Sequence, residues 1–149
     1  MRAGATPQVR VVGLDLGSRR IGVALSDPTA TLATPYTVIE RGADHRADHE
    51  AIAAVIAETG AERVVVGLPL ALNGRVETAA RLVLGEVDEL AAALPVPVEC
   101  HDERLTTVSA EQSLRRAGVG GVARRRVIDQ VAAAVLLQSW LDRDGRRGD

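Results

Sequence analysis

One acidic residue near the start of the chain is placed where a carboxylate could do chemistry. Asp15 ends an apolar run rich in Val, and a second apolar run at 21–25 follows after a short polar turn. A carboxylate at the end of a strand that is buried on both faces must be neutralised, hydrogen-bonded or bound to a cation. Gly17 lets the chain turn tightly and lets a phosphate, a metal or another backbone come close. The pattern predicts a hairpin that holds one candidate catalytic acid.

Two further acidic residues end a later strand-like segment. The segment 96–102 runs into Asp102 and Glu103, and open α/β sheets place their ligands at the carboxyl ends of strands. Period-two alternation puts the two side chains on opposite sides of the strand, and the pattern alone does not choose between them. Either acid can meet Asp15 if the two strands are neighbours.

Another acid lies on the apolar face of a helix. At about 100° per residue, Asp129 shares its face with small and apolar residues, namely Ala132, Ala133, Leu136 and Trp140. A carboxylate there costs free energy unless something meets it, and the adjacent alanines would let the helix lie close to a sheet. The competing explanation is an ion pair with Arg125 or Arg126 near the helix start, or with Arg104.

Carboxylates that converge on one point favour a particular cofactor. Like charges at close range raise one another's pKa, so three acids cannot all stay ionised without a cation. Oxygen ligands with few His and Cys nearby select Mg²⁺ or Mn²⁺ rather than zinc. Such a cluster can hold two ions about 4 Å apart, one activating water and the other stabilising the leaving oxygen of a phosphodiester. The acids therefore indicate phosphoryl chemistry that depends on one or two metal ions.

The elements that must position these acids follow from the hydrophobic periodicity. Strand-like runs at 9–16, 21–26 and 34–40 are joined by short turns and predict an antiparallel meander. Helices are then expected at 44–59, 76–94, 107–117 and 123–141, and strands at 63–68 and 96–102. This order predicts an α/β fold with one five-stranded mixed sheet, in which the fourth and fifth strands pair around the first and helices cover both faces.

Length and composition limit the number of domains and the kinds of partner. The 149 residues suffice for one well-buried core and are too few for two ordinary domains, so we expect one domain at 9–142 with frayed ends at 1–8 and 143–149. With one Trp, one Tyr and no Phe, an aromatic platform for single-stranded nucleic acid is not expected. The formal net charge of −2 means that any nucleic-acid footprint must be local.

Cysteine use and hydropathy bear on the compartment. The single Cys100 forms no internal disulfide and is expected to be a small apolar strand residue. No basic and apolar leader opens the sequence, and no apolar run reaches the length of a membrane span. We therefore expect a cytoplasmic protein with no membrane partner.

Four segments in succession resemble the motifs of one family. They are 12–24 (VGLDLGSRRIGVA), 66–70 (VGLPL), 101–107 (HDERLTT) and 129–133 (DQVAA). In this order, and over nearly the whole chain, they resemble the YqgF/RuvX family, which has an RNase H-like fold and belongs with the Holliday junction resolvase superfamily. The resemblance implies that Asp15, Glu103 and Asp129 are the catalytic acids and the ligands of Mg²⁺ or Mn²⁺.

The resemblance also implies an activity. It indicates a metal-dependent endonuclease for structured nucleic acid that processes the 5′ end of precursor 16S rRNA, with ribosomal particles among its partners. Resolution of Holliday junctions is the first alternative. A nucleotide- or nucleic-acid-binding module without nuclease activity is the second, because the Asp-x-Gly turn also resembles the phosphate loop of the actin and sugar-kinase superfamily. We expect a monomer or a weak homodimer.

Several basic and polar residues near the acids are candidates for contacts with nucleic acid: Ser18, Arg19, Arg20, Arg104, Arg124, Arg125 and Arg126. The simpler explanations are solvent exposure at the hairpin tip, charge balance of Asp102 and Glu103 by Arg104, and a solvated basic patch. One segment departs from the family pattern. Where a Met-Asp-Gly-like turn is usual, this chain has 72–74 (LNG), which keeps the turn residues and removes an acid.

Overall fold

The computed structural model describes residues 9–71, 73–105 and 121–143. Strands β1 (Val11–Leu16), β2 (Arg20–Ser26) and β3 (Ala33–Glu40) come first, followed by α1 (His45–Thr59), β4 (Arg63–Leu68), α2 (Thr78–Ala93) and β5 (Val98–Asp102). A 3₁₀ turn (Glu103–Leu105) follows β5, and α3 (Val122–Arg143) is the last described element. These bounds agree with the sequence prediction to within two residues. The predicted helix at 107–117 and the predicted frayed ends at 1–8 and 144–149 lie outside the described residues.

The five strands form one mixed sheet in the order β3-β2-β1-β4-β5. β1 is central, antiparallel to β2 and parallel to β4, and β5 is parallel to β4. Asp15 thus lies on a central strand, as predicted. The expectation that the fourth and fifth strands both pair around the first is wrong for β5, which adds outside β4. The reason is that β2 already occupies the other edge of β1, so the next helical crossover extends the sheet on the far side of β4.

Helices cover both faces of the sheet, as predicted. On one face Leu14 and Ile21 pack with residues of α1 and α2 such as Ile52 and Leu90. On the other face Val11, Ala24 and Val65 pack with residues of α3, chiefly Leu137 and Trp140. Alternate side chains of β1 therefore enter different layers of the core. In the described part of the chain, no helix is both long and apolar enough to span a membrane.

Candidate active site

Asp15, Glu103 and Asp129 line one cleft with a volume of about 650 Å³. They come from three separate elements, the end of β1, the turn after β5 and the first half of α3. Each is nearly enclosed by the protein, with 2%, 2% and 1% of its surface exposed, respectively. Burial of three carboxylates in one place is costly in free energy. The structure therefore brings together the three acids that the sequence singled out.

The pleat of β5 decides which of its two terminal acids enters the cleft. His101 faces α3, where its Nε2 lies 2.9 Å from Ser139 Oγ. Glu103, two residues later, lies on the same side and enters the cleft. Asp102 turns to the opposite side and pairs with Arg104, whose Nη2 is 2.7 Å from Asp102 Oδ2. Hydrogen bonding from Arg104 lowers the pKa of Asp102.

Glu103 reaches the cleft across β4 at a glycine. A Cβ built on Gly67 would lie 2.6 Å from Glu103 Oε1 and 3.0 Å from Leu136 Cδ2. Any side chain at this position would therefore collide with the glutamate or with α3. Because β5 is not adjacent to β1, this glycine provides the path by which Glu103 approaches the end of the central strand.

Asp129 reaches the cleft because α3 lies directly on β2 at a second glycine. A Cβ on Gly22 would be 2.1 Å from the backbone oxygen of Asp129 and 3.5 Å from the Cβ of Ala133. Gly22 is also the residue paired with Asp15 in the β1–β2 ladder. The close approach that the alanines of α3 predict is thus confirmed, and it requires a matching glycine on the strand.

An arginine that the sequence places at the hairpin tip joins this cluster. Arg20 Nε is 2.6 Å from Asp129 Oδ2, and 16% and 2% of the two side chains are exposed, respectively. The proposed partners of Asp129 in the simpler explanation were Arg125, Arg126 and Arg104, and Arg20 was not among them. By strand alternation Arg20 lies on the same face as Gly22, directly under α3. Solvent exposure alone therefore does not explain Arg20.

The other candidate nucleic-acid residues lie at different depths. Ser18 and Arg19 are exposed at the hairpin tip and line the cleft. Arg126 is about half exposed and its Nη1 is 3.0 Å from Glu40 Oε1. Arg104 is held by Asp102, as the charge-balance explanation expects. The side chains of Arg124 and Arg125 lie outside the described residues.

A buried ion-pair network under the hairpin was missed by the sequence analysis. Arg41 Nε donates to the backbone oxygen of Gly17 at 2.8 Å, and its two Nη atoms donate to Glu86 at 2.8 and 3.0 Å. Arg41 Nη1 also donates to Asp48, and His49 Nε2 lies 3.0 Å from Glu86. Burial alone raises the pKa of Glu86, but its hydrogen bonds with Arg41 and His49 outweigh this and lower the pKa.

The network fixes the backbone that follows Asp15, since Arg41 bridges this hairpin to α1 and α2. A signal for it was present in the sequence. Glu86 lies on the helical face that carries Val83, Val87 and Leu90, so it is an acid on an apolar face in the same way as Asp129. Its partner Arg41 follows a strand and carries no periodic signal of its own.

Comparison with known proteins places the whole described chain in one family. A family model described as "RuvX: Holliday junction resolvase" matches residues 9–143. The chain belongs to the RuvX family. A relative from Mycolicibacterium paratuberculosis is 51% identical over 135 residues, which cover 89% of this chain and 80% of the relative. One from Chloroflexus aggregans is 50% identical over 132 residues, which cover 89% and 92%. Both are named "Putative pre-16S rRNA nuclease".

A solved structure shares the fold. The structure of T. thermophilus RuvC in complex with Holliday junction substrate has a TM-score of 0.56 at 19% sequence identity, and the match covers 94% of this chain and 96% of that one. At this identity the likeness concerns the fold. The predicted RNase H-like α/β fold with a five-stranded mixed sheet is confirmed.

The segment that departs from the RuvX pattern still forms a turn. Gly74 has a φ of 84°, in the left-handed region that favours glycine. Its N–H donates to the oxygen of Ala71 at 2.8 Å, and Asn73 Oδ1 accepts from the N–H of Arg75 at 2.9 Å. Leu72 itself lies outside the described residues. Asn73 and Gly74 thus supply the turn geometry, as the sequence predicts.

The residues of the cleft fit a hard divalent cation. All three acids offer oxygen donors, and oxygen is the ligand that Mg²⁺ and Mn²⁺ prefer. Gly67 leaves the space in which Glu103 Oε1 lies, and a Cβ would fill it. Asp129 already lies beside one positive charge, that of Arg20, as expected for an acid held in its ionised form.

Proposed function

We propose that this protein is an endonuclease that hydrolyses phosphodiester bonds in structured nucleic acid, with Asp15, Glu103 and Asp129 as its catalytic and metal-binding residues. The observation that carries the proposal is the convergence of these three buried carboxylates in one cleft. A fold spends free energy on burying three acids together when a cation or a positively charged group compensates them. RuvX-type nucleases are metal-dependent, which agrees with this donor set.

Asp15, Glu103 and Asp129 would hold one or two ions of Mg²⁺ or Mn²⁺. When bound, the metal supplies an activated water as nucleophile and stabilises the charge on the leaving oxygen. The protein supplies the geometry. Asp15 is held by the central strand, Glu103 by the turn over Gly67, and Asp129 by the contact of α3 with Gly22.

Basic residues at the cleft would bind the phosphate backbone of the substrate. Arg19 is exposed at its edge, and Arg20 lies deeper beside Asp129. Ser18, Arg104, Arg124, Arg125 and Arg126 complete the set that the sequence proposes for this role. Phosphate contacts position a substrate without reading its sequence, so structure in the nucleic acid would supply the specificity.

The substrate we favour is the 5′ end of precursor 16S rRNA, because the relatives that are about half identical to this chain carry that activity in their names. Ribosomal particles in the cytoplasm are then the expected partners. The alternative substrate is a Holliday junction, which the description of the family model names.

A side-by-side cleavage assay tests both substrates. The full chain is given precursor 16S rRNA or a four-way DNA junction, with Mg²⁺, Mn²⁺ or EDTA. We expect metal-dependent cleavage of the RNA near its 5′ end, and none with Asp15→Asn, because the variant removes a ligand charge. Its fold should remain intact or become more stable, since repulsion among crowded carboxylates decreases. Cleavage of the junction alone would move the assignment to a resolvase.

A matched pair of variants tests which acid after β5 is used. Glu103→Gln should abolish cleavage, whereas Asp102→Asn should retain it, because Asp102 faces Arg104 instead of the cleft. Full cleavage by Asp15→Asn at saturating Mg²⁺ contradicts the nuclease assignment. Tight, Asp15-dependent binding of ATP in place of cleavage would support the nucleotide-binding module.

A further inference from the structure

A second group of possible metal ligands lies at the rim of the cleft, apart from the three acids. His45 and His49 are four residues apart on α1, so their rings lie on one helical face, and Glu89 of α2 lies opposite. Each residue offers one donor atom, and the three atoms lie within 4.8 Å of one another. His45 also lines the cleft.

The distances suit a small change of side-chain position. His45 Nδ1 is already 2.8 Å from Glu89 Oε1, and 51% and 53% of these side chains are exposed, respectively. In a tetrahedral site with metal–nitrogen bonds of about 2.0–2.1 Å, neighbouring donor atoms are about 3.4 Å apart. Two half-exposed side chains can close the remaining distance by a change of rotamer, without a shift of either helix.

His49 is the fixed member of the group. It is 7% exposed, and its Nε2 is held 3.0 Å from Glu86 Oε2. Glu86 is in turn held by two hydrogen bonds from Arg41. A carboxylate that orients an imidazole from behind is the usual arrangement around metal-binding histidines, since it fixes the ring and raises its basicity.

The local charge also suits a dication. Glu86, Glu89 and Asp48 contribute three carboxylates, and Arg41 is the guanidinium that pairs with two of them. With neutral imidazoles, this group has an excess of two negative charges. A divalent cation would neutralise it.

We propose that His45, His49 and Glu89 form a binding site for a divalent transition-metal ion of the Zn²⁺, Co²⁺ or Ni²⁺ class. Two imidazoles and one carboxylate are the ligand set of such ions and a poor one for Mg²⁺. The site is therefore chemically distinct from the all-oxygen cluster around Asp15. A bound ion would tie the first turn of α1 to α2 and thereby fasten one wall of the cleft.

The test is titration of the untagged, metal-free full chain with Zn²⁺ by calorimetry and with Co²⁺ by visible absorption. The background is Asp15→Asn with excess Mg²⁺, so that the acid cluster does not contribute. We expect one equivalent of Zn²⁺ and a Co²⁺ spectrum that indicates nitrogen ligands. Zn²⁺ should also raise the melting temperature.

Exposed ligands carry the test, because a His49 variant could fail to fold. His45→Ala and Glu89→Gln should each weaken Zn²⁺ binding by at least about tenfold, the lower end of what loss of even an orienting partner costs. Glu50→Gln, an exposed acid of the same helix, and His101→Gln, the third histidine of the chain, are the matched controls and should bind like the parent. Absence of Zn²⁺ and Co²⁺ binding, or undiminished binding by His45→Ala, overturns the proposal.

Discussion

Glu103 Oε1 lies only 2.6 Å from the point that a Cβ on Gly67 would occupy. The glutamate belongs to the turn after β5, and the glycine belongs to β4, the strand between β5 and the central strand β1. The missing side chain on the intervening strand is what allows an acid from the sheet edge to meet Asp15. The candidate site therefore depends on a residue that carries no chemistry itself.

Gly67→Ala should abolish or strongly reduce cleavage. The added methyl group must displace Glu103 or Leu136, and overpacking of this kind costs about 1–3 kcal/mol of stability. Gly85→Ala is the matched control, since it lies inside α2 and its Cβ would meet nothing within 4 Å. The control should keep full activity and gain about 0.5–1 kcal/mol in the free energy of unfolding. Cleavage assays and urea unfolding measure both, and normal activity of Gly67→Ala would contradict this account of Glu103.

Arg20→Ala should make the stability of the protein depend on divalent metal. Removal of the guanidinium beside the buried Asp129 should cost about 1–3 kcal/mol, less than the about 3–5 kcal/mol of a fully buried pair because Arg20 is partly exposed. Mg²⁺ should restore more of the melting temperature in this variant than it adds to the parent, because the cation replaces the lost charge. Arg126→Ala, which breaks a half-exposed pair with Glu40, should cost about 0–1 kcal/mol and show no such metal effect.

Arg19→Ala should weaken substrate binding and reduce its salt dependence. Each lost phosphate contact releases fewer counterions, so the slope of log Kd against log salt should decrease by about 1. Arg46→Ala is the comparison, since Arg46 is an equally exposed arginine that pairs with Glu50 on the outer face of α1. Binding is measured with Asp15→Asn as the parent, so that cleavage does not interfere. An unchanged slope would remove Arg19 from the substrate interface.

Asp27→Asn should change how stability responds to acid. Hydrogen bonds from the Thr29 side chain and the Leu32 and Thr31 N–H groups lower the pKa of Asp27 from 3.8 to about 2. A lowered pKa means that the ionised form stabilises the fold above pH 3.8, and that this stabilisation is lost as the pH falls towards about 2. Urea unfolding should show Asp27→Asn to be less stable than the parent at neutral pH, with a difference that shrinks below about pH 4. A difference that is constant with pH would contradict this assignment.

The order of elements and the identity of the three acids could be read from the sequence. Strand and helix bounds follow from periods of two and 3.6 residues, and these are local properties of the chain. Asp129 stood out because a carboxylate on an apolar helical face needs compensation, and Asp15 because it ends a buried strand. The family resemblance then selected Glu103 over Asp102, a choice that the pleat of β5 explains.

Only the tertiary structure decided the partners of these acids. Arg20 rather than Arg125, Arg126 or Arg104 pairs with Asp129, since the contact of α3 with Gly22 brings residues 109 positions apart together. The same holds for Arg41 with Glu86 and for β5 outside β4. Pairing of distant residues depends on which strand edges are free and on where a missing Cβ lets two backbones approach, and neither quantity is periodic along the chain.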